Sequence, residues 1–377
     1  MKVLVAFGTR PEAIKLAPLL CRLAAAPDRF RTVVCVTAQH REMLDQVLEF
    51  FAVRPDRDLD LMRPDQSLPD LTAAALRGMT AVLADEWPDV VVVQGDTTTT
   101  MATALAAFYA RVPLAHVEAG LRTGDRSAPF PEEVNRRVTS LLADLHFAPT
   151  ARARDALLAE GVPPARVHVT GNTVVDALLL ARERVRASPA AVLTGPLAAL
   201  ASDGRPLVLV TAHRRESFGA GLRGVCLAVR DLIERNPELV VVLPVHRNPH
   251  VREAVDAVLA GAPAAGGRLV LTDPLGYPQL VWLLDRCRLV LTDSGGIQEE
   301  APTFQKPVLV MREVTERPEG VAAGVARVVG TDRGRIVAAA EELLRDPAAY
   351  AAMVARENPY GDGRAAERIV DVLSQVR

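Results

Sequence analysis

The sequence predicts an α/β protein of two Rossmann-like, doubly wound domains, and three observations carry that prediction. Short apolar runs alternate with longer stretches of helical spacing along the whole chain, the pattern of parallel strands joined by crossover helices. At 377 residues the chain is long enough for two domains that each bury a core. That core must be built from Ala, Val and Leu, because 49% of the residues are hydrophobic but only 4% are aromatic.

In the first half, strands are expected at residues 2–7, 32–37, 90–94, 114–117 and 145–148, with helices between them such as 13–25 and 97–109. The rhythm repeats at 207–211, 240–244, 269–272, 289–292 and 308–311. Residues 187–206 are rich in Ala, Pro and Gly and read as no strand. The domain change is placed near 168–172, giving domains 1–170 and 171–363, with 173–185 as the first helix of the second and 364–375 as a final helix.

Net charge is −2, which argues against a general nucleic-acid or membrane-surface binder. No apolar run approaches the ~18 residues that span a bilayer. Cys21, Cys35, Cys226 and Cys287 show neither metal spacing nor a Cys-x-x-Cys pair, and read as buried thiols of a reducing, cytoplasmic compartment. No His/Cys/Asp cluster has ligand spacing, so no metal is expected. A Gly-Lys-Ser/Thr loop and a Gly-x-Gly-x-x-Gly after the first strand are both missing, so phosphate-loop NTPase and ordinary NAD-dependent chemistry lose their main support.

Open α/β sheets bind ligands at the carboxyl ends of their strands, and two such sheets facing one another make a deep cleft. In 287–301 an apolar strand runs into Ser294-Gly295-Gly296 and then a helix bearing carboxylates. Its glycines permit close backbone approach, and the helix start favours phosphate. Glu299 or Glu300, one turn in, could accept hydrogen bonds from ribose hydroxyls. Arg10 and Lys15 flank the first strand-to-helix turn, where they could clamp and neutralise a phosphate; the plainer role for Lys15 is to pair Glu12. Asp96 and Glu118 end neighbouring predicted strands, so they could share a pocket as an acid/base pair, although Asp96 could simply cap the next helix. Glu132 with Arg136, and Glu133 with Arg137, have the spacing of surface ion pairs. His213, beside Arg214 and Arg215, is the histidine best placed to assist a phosphate leaving group. His116 and His146 lie inside apolar strands, and His246 is intermediate. For Arg317 the plainer partner is Glu316 or Glu319.

Taken together, Gly8-Thr-Arg-Pro-Glu-Ala-Ile-Lys15, Thr37-Ala-Gln-His-Arg41, Gly95-Asp-Thr-Thr-Thr-Thr100, His116-Val-Glu-Ala-Gly-Leu-Arg122, Pro131-Glu-Glu, Gly171-Asn-Thr173, His213-Arg-Arg-Glu216, Asp293-Ser-Gly-Gly-Ile-Gln-Glu-Glu300 and Asn358-Pro-Tyr-Gly-Asp-Gly363 resemble the non-hydrolysing UDP-N-acetylglucosamine 2-epimerases. The likeness runs in order from residue 1 to about residue 372. It implies a GT-B-like fold whose C-terminal helix, within 364–377, crosses back onto the first domain. The implied reaction interconverts UDP-GlcNAc and UDP-ManNAc by anti elimination of UDP, a 2-acetamidoglucal intermediate and re-addition of UDP, without a cofactor. It also implies a homodimer and a supply of UDP-ManNAc for surface polysaccharides.

Carried over residue by residue, the resemblance makes Asp96, Glu118 and Glu132 the acid/base carboxylates, which reverses the surface reading of Glu132. His213 would assist departure of UDP. Arg10 and Lys15 would contact the diphosphate, Ser294, Gly295 and Gly296 would bind phosphate, Glu300 would hold the ribose, and Arg317 would close over the nucleotide. Some bacterial members bind a second UDP-GlcNAc as an activator, through a Gln-His-Arg-Gln segment and an Arg-Gln pair. Here those segments read Gln39-His40-Arg41-Glu42 and Asp65-Gln66, so the candidate activator contacts are Gln39, His40, Arg41 and Gln66, with acids at two positions. A hydrolysing 2-epimerase, a GT-B glycosyltransferase and a non-catalytic nucleotide-sugar sensor are the competing readings.

Overall fold

The computed structural model describes residues 1–38, 41–63, 65–259 and 267–375. The chain folds as two compact units, Met1–Ala177 with Tyr360–Arg377, and Leu178–Pro359. The division falls inside the helix Thr173–Ala187.

The first unit holds β1 (Lys2–Phe7), β2 (Arg31–Val36), β3 (Arg57–Asp58), β4 (Val90–Gln94), β5 (Leu114–Val117), β6 (Leu145–Ala148) and β7 (Val167–Val169). They form one parallel sheet in the order β3-β2-β1-β4-β5-β6-β7. The second unit holds β8 (Leu207–Thr211), β9 (Val240–Pro244), β10 (Leu269–Thr272), β11 (Leu289–Thr292), β12 (Val308–Val310) and β13 (Ala326–Val328). Its order is β10-β9-β8-β11-β12-β13, again parallel. The central strands read as unbroken apolar runs because helices cover both faces: Val90, Val91, Val92 and Val93 are all fully buried.

Strand order reverses between β1 and β4 in one sheet and between β8 and β11 in the other. At such a switch point the flanking connections leave toward opposite faces, and a crevice opens at the carboxyl ends of the two strands. The loops after β1 and β4 carry Arg10 and Asp96, while those after β8 and β11 carry His213 and Ser294.

Three short strands, β3, β7 and β13, were not expected from the sequence. Each lies at a sheet edge with a neighbour on one side only and is two or three residues long, β3 being the exposed charged pair Arg57–Asp58. Residues 187–206 contain no strand, only the helix Pro189–Val192 and the 3-10 turn Gly195–Ser202. Three of the cysteines are buried as expected, with burial pushing the Cys35, Cys226 and Cys287 thiols up to about 12, 11 and 12, whereas Cys21 is only half-buried. Among the described residues no helix is long and apolar enough to cross a membrane.

The helix Ala365–Leu373 returns to the first unit. Its apolar face, including Ile369 and Leu373, is fully buried. Asp176 accepts from its first free amides, Ala365 N at 3.2 Å and Ala366 N at 2.9 Å, and Asn172 N donates to Tyr360 O at 2.7 Å.

Candidate active site

At the first switch point, β1 ends at Gly8, where a Cβ would lie 2.2 Å from Thr37 Oγ1 and 2.5 Å from Thr99 Oγ1, so only glycine fits. Thr9 then caps the helix Arg10–Ala24 in a capping box with Glu12, and Pro11 occupies its first turn. Glu12 does much more than complete that box. Its buried carboxylate accepts from Gly8 N at 3.1 Å, Thr9 N at 2.8 Å, Thr9 Oγ1 at 2.7 Å, Thr97 Oγ1 at 2.8 Å and Thr100 Oγ1 at 3.1 Å. It therefore ties the loop after β1 to the helix after β4. Burial raises its pKa, against the opposing pull of those hydrogen bonds.

Lys15 does not pair Glu12. Its ammonium sits 2.7 and 2.5 Å from the two oxygens of Glu118, and the Gln94 amide donates to the same carboxylate. Glu118 is buried and adopts φ +63°, a left-handed conformation that costs a non-glycine residue on the order of 1 kcal/mol or more. The fold holds it there through the register of β4 and β5, which sets Gln94 against Val117, and through the His116 Nε2 contact with Gly95 O at 2.7 Å. Burial holds His116 down to about 3, so it is a neutral core group, and His146 is similarly lowered to about 4.

Asp96 is not the cap of the following helix. Thr97 fills that role, accepting from Thr100 N at 3.1 Å, and leaves the Asp96 carboxylate to Arg136 at 2.5 Å. Asn135 Nδ2 donates to Asp96 O at 2.9 Å, so two consecutive residues of the helix Glu132–Leu142 grip Asp96. The expected Glu132–Arg136 pair is replaced: Arg136 lies between Asp96 and the fully buried Glu133, 3.3 Å away. Glu133 also pairs Arg137 at 3.3 Å, as its spacing suggested, and accepts from Thr123 N and Gly124 N. Glu132, half-buried on the first turn, has no hydrogen-bond or charge partner among the described residues, and neither does Arg10.

At the second switch point Thr211 and Thr292 close the ends of β8 and β11 with a 2.6 Å hydroxyl contact. Asp293 follows, 1% exposed. Its Oδ2 accepts from His213 N at 2.7 Å and Arg214 N at 2.8 Å, and its Oδ1 lies 3.2 Å from His213 Nδ1. Burial alone would raise its pKa, but these contacts outweigh burial and lower it. The His213 ring stacks on His246 with centroids 5.7 Å apart and an interplanar angle of 21°.

Ser294 precedes the short helix Gly295–Glu300 in extended conformation, at the N-cap position but without a side-chain capping bond. A Cβ on Gly295 would lie 3.6 Å from Arg214 Nη2 and 3.9 Å from the Arg317 guanidinium, so two cations stand over the start of this helix. Arg317 pairs the buried Glu299, and its Nη1 donates to the Glu316 carbonyl at 3.3 Å. Its loop is pinned through Thr315, which accepts from Arg317 N at 3.0 Å and donates to Gln298 Oε1 at 2.5 Å. Glu299 pairs Arg317, and Glu300 Oε1 reaches back over Gly296, 3.7 Å from where its Cβ would be.

The structure thus places Arg10, Lys15, Asp96, Glu118 and Glu132 in the first unit, and His213, Ser294, Gly295, Gly296, Glu300 and Arg317 in the second. Glu12, Arg136 and Asp293 hold them and were not picked out from the sequence, whereas Glu299, considered there beside Glu300 as a ribose acceptor, pairs with Arg317. Gln39 and His40 lie outside the described residues, as does the Arg41 side chain, while Gln66 is half-exposed just before the helix Leu68–Glu86.

Residues 22–374 match the family described as UDP-N-acetylglucosamine 2-epimerase. A UDP-N-acetylglucosamine 2-epimerase of Escherichia coli (strain K12) is 52% identical over 380 positions, covering 100% of this chain and 99% of that one. The crystal structure of a UDP-GlcNAc 2-epimerase from Neisseria meningitidis bound to UDP-GlcNAc superposes with a TM-score of 0.87 at 45% identity, covering 99% of each chain. One from Methanocaldococcus jannaschii in complex with UDP-GlcNAc and UDP gives 0.78 at 32% identity, again over 99% of each. A strand order that opens a crevice in each unit, acids at one and cations at the other, and full-length identity to these enzymes lead to one conclusion: the chain belongs to the UDP-N-acetylglucosamine 2-epimerase family.

Proposed function

We propose that this chain interconverts UDP-GlcNAc and UDP-ManNAc, with the strand-end residues of the first unit acting on the sugar and those of the second on the nucleotide. The observation that carries this reading is the division of labour between the switch points: Asp96, Glu118 and Glu132 at one, and His213, Arg317 and the Ser294-Gly295-Gly296 helix start at the other. The first set suits removal of a weakly acidic C–H proton, and the second suits a diphosphate leaving group.

In the proposed reaction a carboxylate takes the C2 proton, and that C–H electron pair forms the C1–C2 double bond. The C1–O bond breaks with its electrons going to UDP. Negative carboxylates beside the ring stabilise the positive charge that develops at C1, while Arg317 and the helix start at Gly295 hold the diphosphate. UDP then re-adds to 2-acetamidoglucal, and C2 regains a proton on its other face. Inversion requires acid/base groups on both faces of C2, which is a chemical reason for more than one carboxyl at this strand end. Glu300 takes the ribose hydroxyls. A second UDP-GlcNAc as activator, a homodimer and a cytoplasmic location are carried over from the family as parts of the same proposal.

The test is to incubate the protein with UDP-GlcNAc in deuterated water, without metal or NAD, and follow C2 and the anomeric protons by NMR. UDP-ManNAc with deuterium at C2 is the expected product. Free ManNAc with UDP would show the hydrolysing reaction instead, and no exchange would point to a transferase or a sensor.

A further inference from the structure

The His213 ring is held from two directions. Asp293 receives the backbone N–H groups of His213 and Arg214 on one oxygen and faces His213 Nδ1 with the other at 3.2 Å. His246 stacks on the opposite side, and its own Nδ1 accepts the N–H of Asn248 at 3.2 Å. A ring nitrogen that accepts a hydrogen bond carries no proton, so this contact engages the Nδ1 lone pair of His246 and leaves its Nε2 as the nitrogen that bears hydrogen. Two cations of this strand end, Arg214 and Arg317, lie over Gly295, and Arg317 is paired with Glu299.

We propose that Asp293 is a positioning residue for His213: it fixes the proton on Nδ1, so that Nε2 is the nitrogen that exchanges a proton with the departing and returning diphosphate. This rests on the epimerase reading above. In the elimination His213 acts as the imidazolium: the C1–O electron pair goes to the diphosphate oxygen, the Nε2 proton passes to that oxygen, and the ring is left as the neutral Nδ1–H tautomer; on re-addition Nε2 takes the proton back and the imidazolium is restored. Asp293 Oδ1, buried, 3.2 Å from Nδ1 and without another hydrogen-bond donor, is placed to take that hydrogen, and its burial keeps water from competing for it. The stack with His246 fixes the ring plane.

The Asp293→Asn variant separates positioning from loop capping. The amide oxygen still accepts both backbone N–H groups, but an NH2 now faces Nδ1 and forces the neutral ring into the Nε2–H tautomer. The expected result is a fall in kcat of about 100-fold or more with KM within about threefold. In histidine-15N-labelled protein, NMR should show neutral His213 as the Nδ1–H tautomer in the wild type and as Nε2–H in the variant. A variant that keeps its kcat, or that loses it while His213 stays Nδ1–H, would overturn the proposal. So would a wild-type His213 in the Nε2–H form, which can be read even if the variant does not fold. Wild-type protein that leaves the C2 proton unexchanged would count against the epimerase reading alone, since the tautomers are read independently of turnover.

Discussion

The two switch points share a topology and oppose each other in charge. At the end of β4 and β5 the presented groups are acids, and cations support them: Lys15 holds Glu118 and Arg136 holds Asp96. At the end of β8 and β11 the presented groups are an imidazole and guanidinium groups, and buried acids support them: Asp293 holds His213 and Glu299 holds Arg317. A strand-end crevice dictates where a site forms but not its sign. The sign comes from which partner the helices bury and which they leave toward the crevice.

Removing a presented acid should have the largest effect. Asp96→Asn or Glu118→Gln should lower kcat by about 1,000-fold, with UDP affinity by calorimetry within about threefold of wild type, because the acids serve the sugar and not the nucleotide. Equal losses in both measurements would break the division between the units. Removing a supporting cation should come next: Arg136→Met takes from the buried Glu133 one of its two charge partners, leaving Arg137, and should cost about 2 kcal/mol in urea unfolding, besides freeing Asp96. Arg317→Met should leave the C2 exchange chemistry in place but weaken UDP binding roughly ten- to a hundredfold, the value of about 1.5–3 kcal/mol for hydrogen bonds to a charged group.

A finer comparison sets Glu12 against Asp293, the two buried acids that tie the strand-end loops. Burial wins at Glu12 and raises its pKa above 4.5; its donors win at Asp293 and hold it below 3.8. The signs of their linkage to stability are therefore opposite. The contribution of Glu12 is fully present below its ordinary value and is lost as pH rises through the raised one. That of Asp293 is present above its ordinary value and is lost as pH falls through the depressed one. Thermal melts from about pH 3 to about pH 8 should show wild type losing stability relative to Glu12→Gln as pH rises, and gaining relative to Asp293→Asn. Slopes of the same sign would refute the contrast. The smallest effect should be Thr97→Ala, about 1–2 kcal/mol by chemical denaturation, from loss of the helix cap and one Glu12 bond.

The frame of this fold is legible because a strand buried on both faces must be apolar along its whole length and must stop where polar loop begins. That is why the ends at Gln94, Val117 and Thr292 can be read to the residue. β3 and β13 escape notice because edge strands of two or three residues leave no periodic signal. The presented groups, Asp96, Glu118 and His213, announce themselves by following such runs. Their supports do not. Arg136 had a plausible neighbour four residues away in Glu132, and only the tertiary fold gives it Asp96, 40 residues distant. Glu12 looked like a simple helix-start acid, although its second set of partners lies 85 and 88 residues away on the helix after β4. Local spacing rules weigh sequence neighbours, whereas a parallel sheet brings its strand ends together from far apart.

The capping of the helix Ala365–Leu373 by Asp176 also dictates an order of assembly. The carboxylate waits for amides 189 and 190 residues further along the chain, so during synthesis all of Leu178–Pro359 emerges before the first unit can be finished. The nascent first unit must persist with an open seam along the helix Arg10–Ala24 until its last helix arrives, while the second, continuous in sequence, can close on its own as soon as it leaves the ribosome.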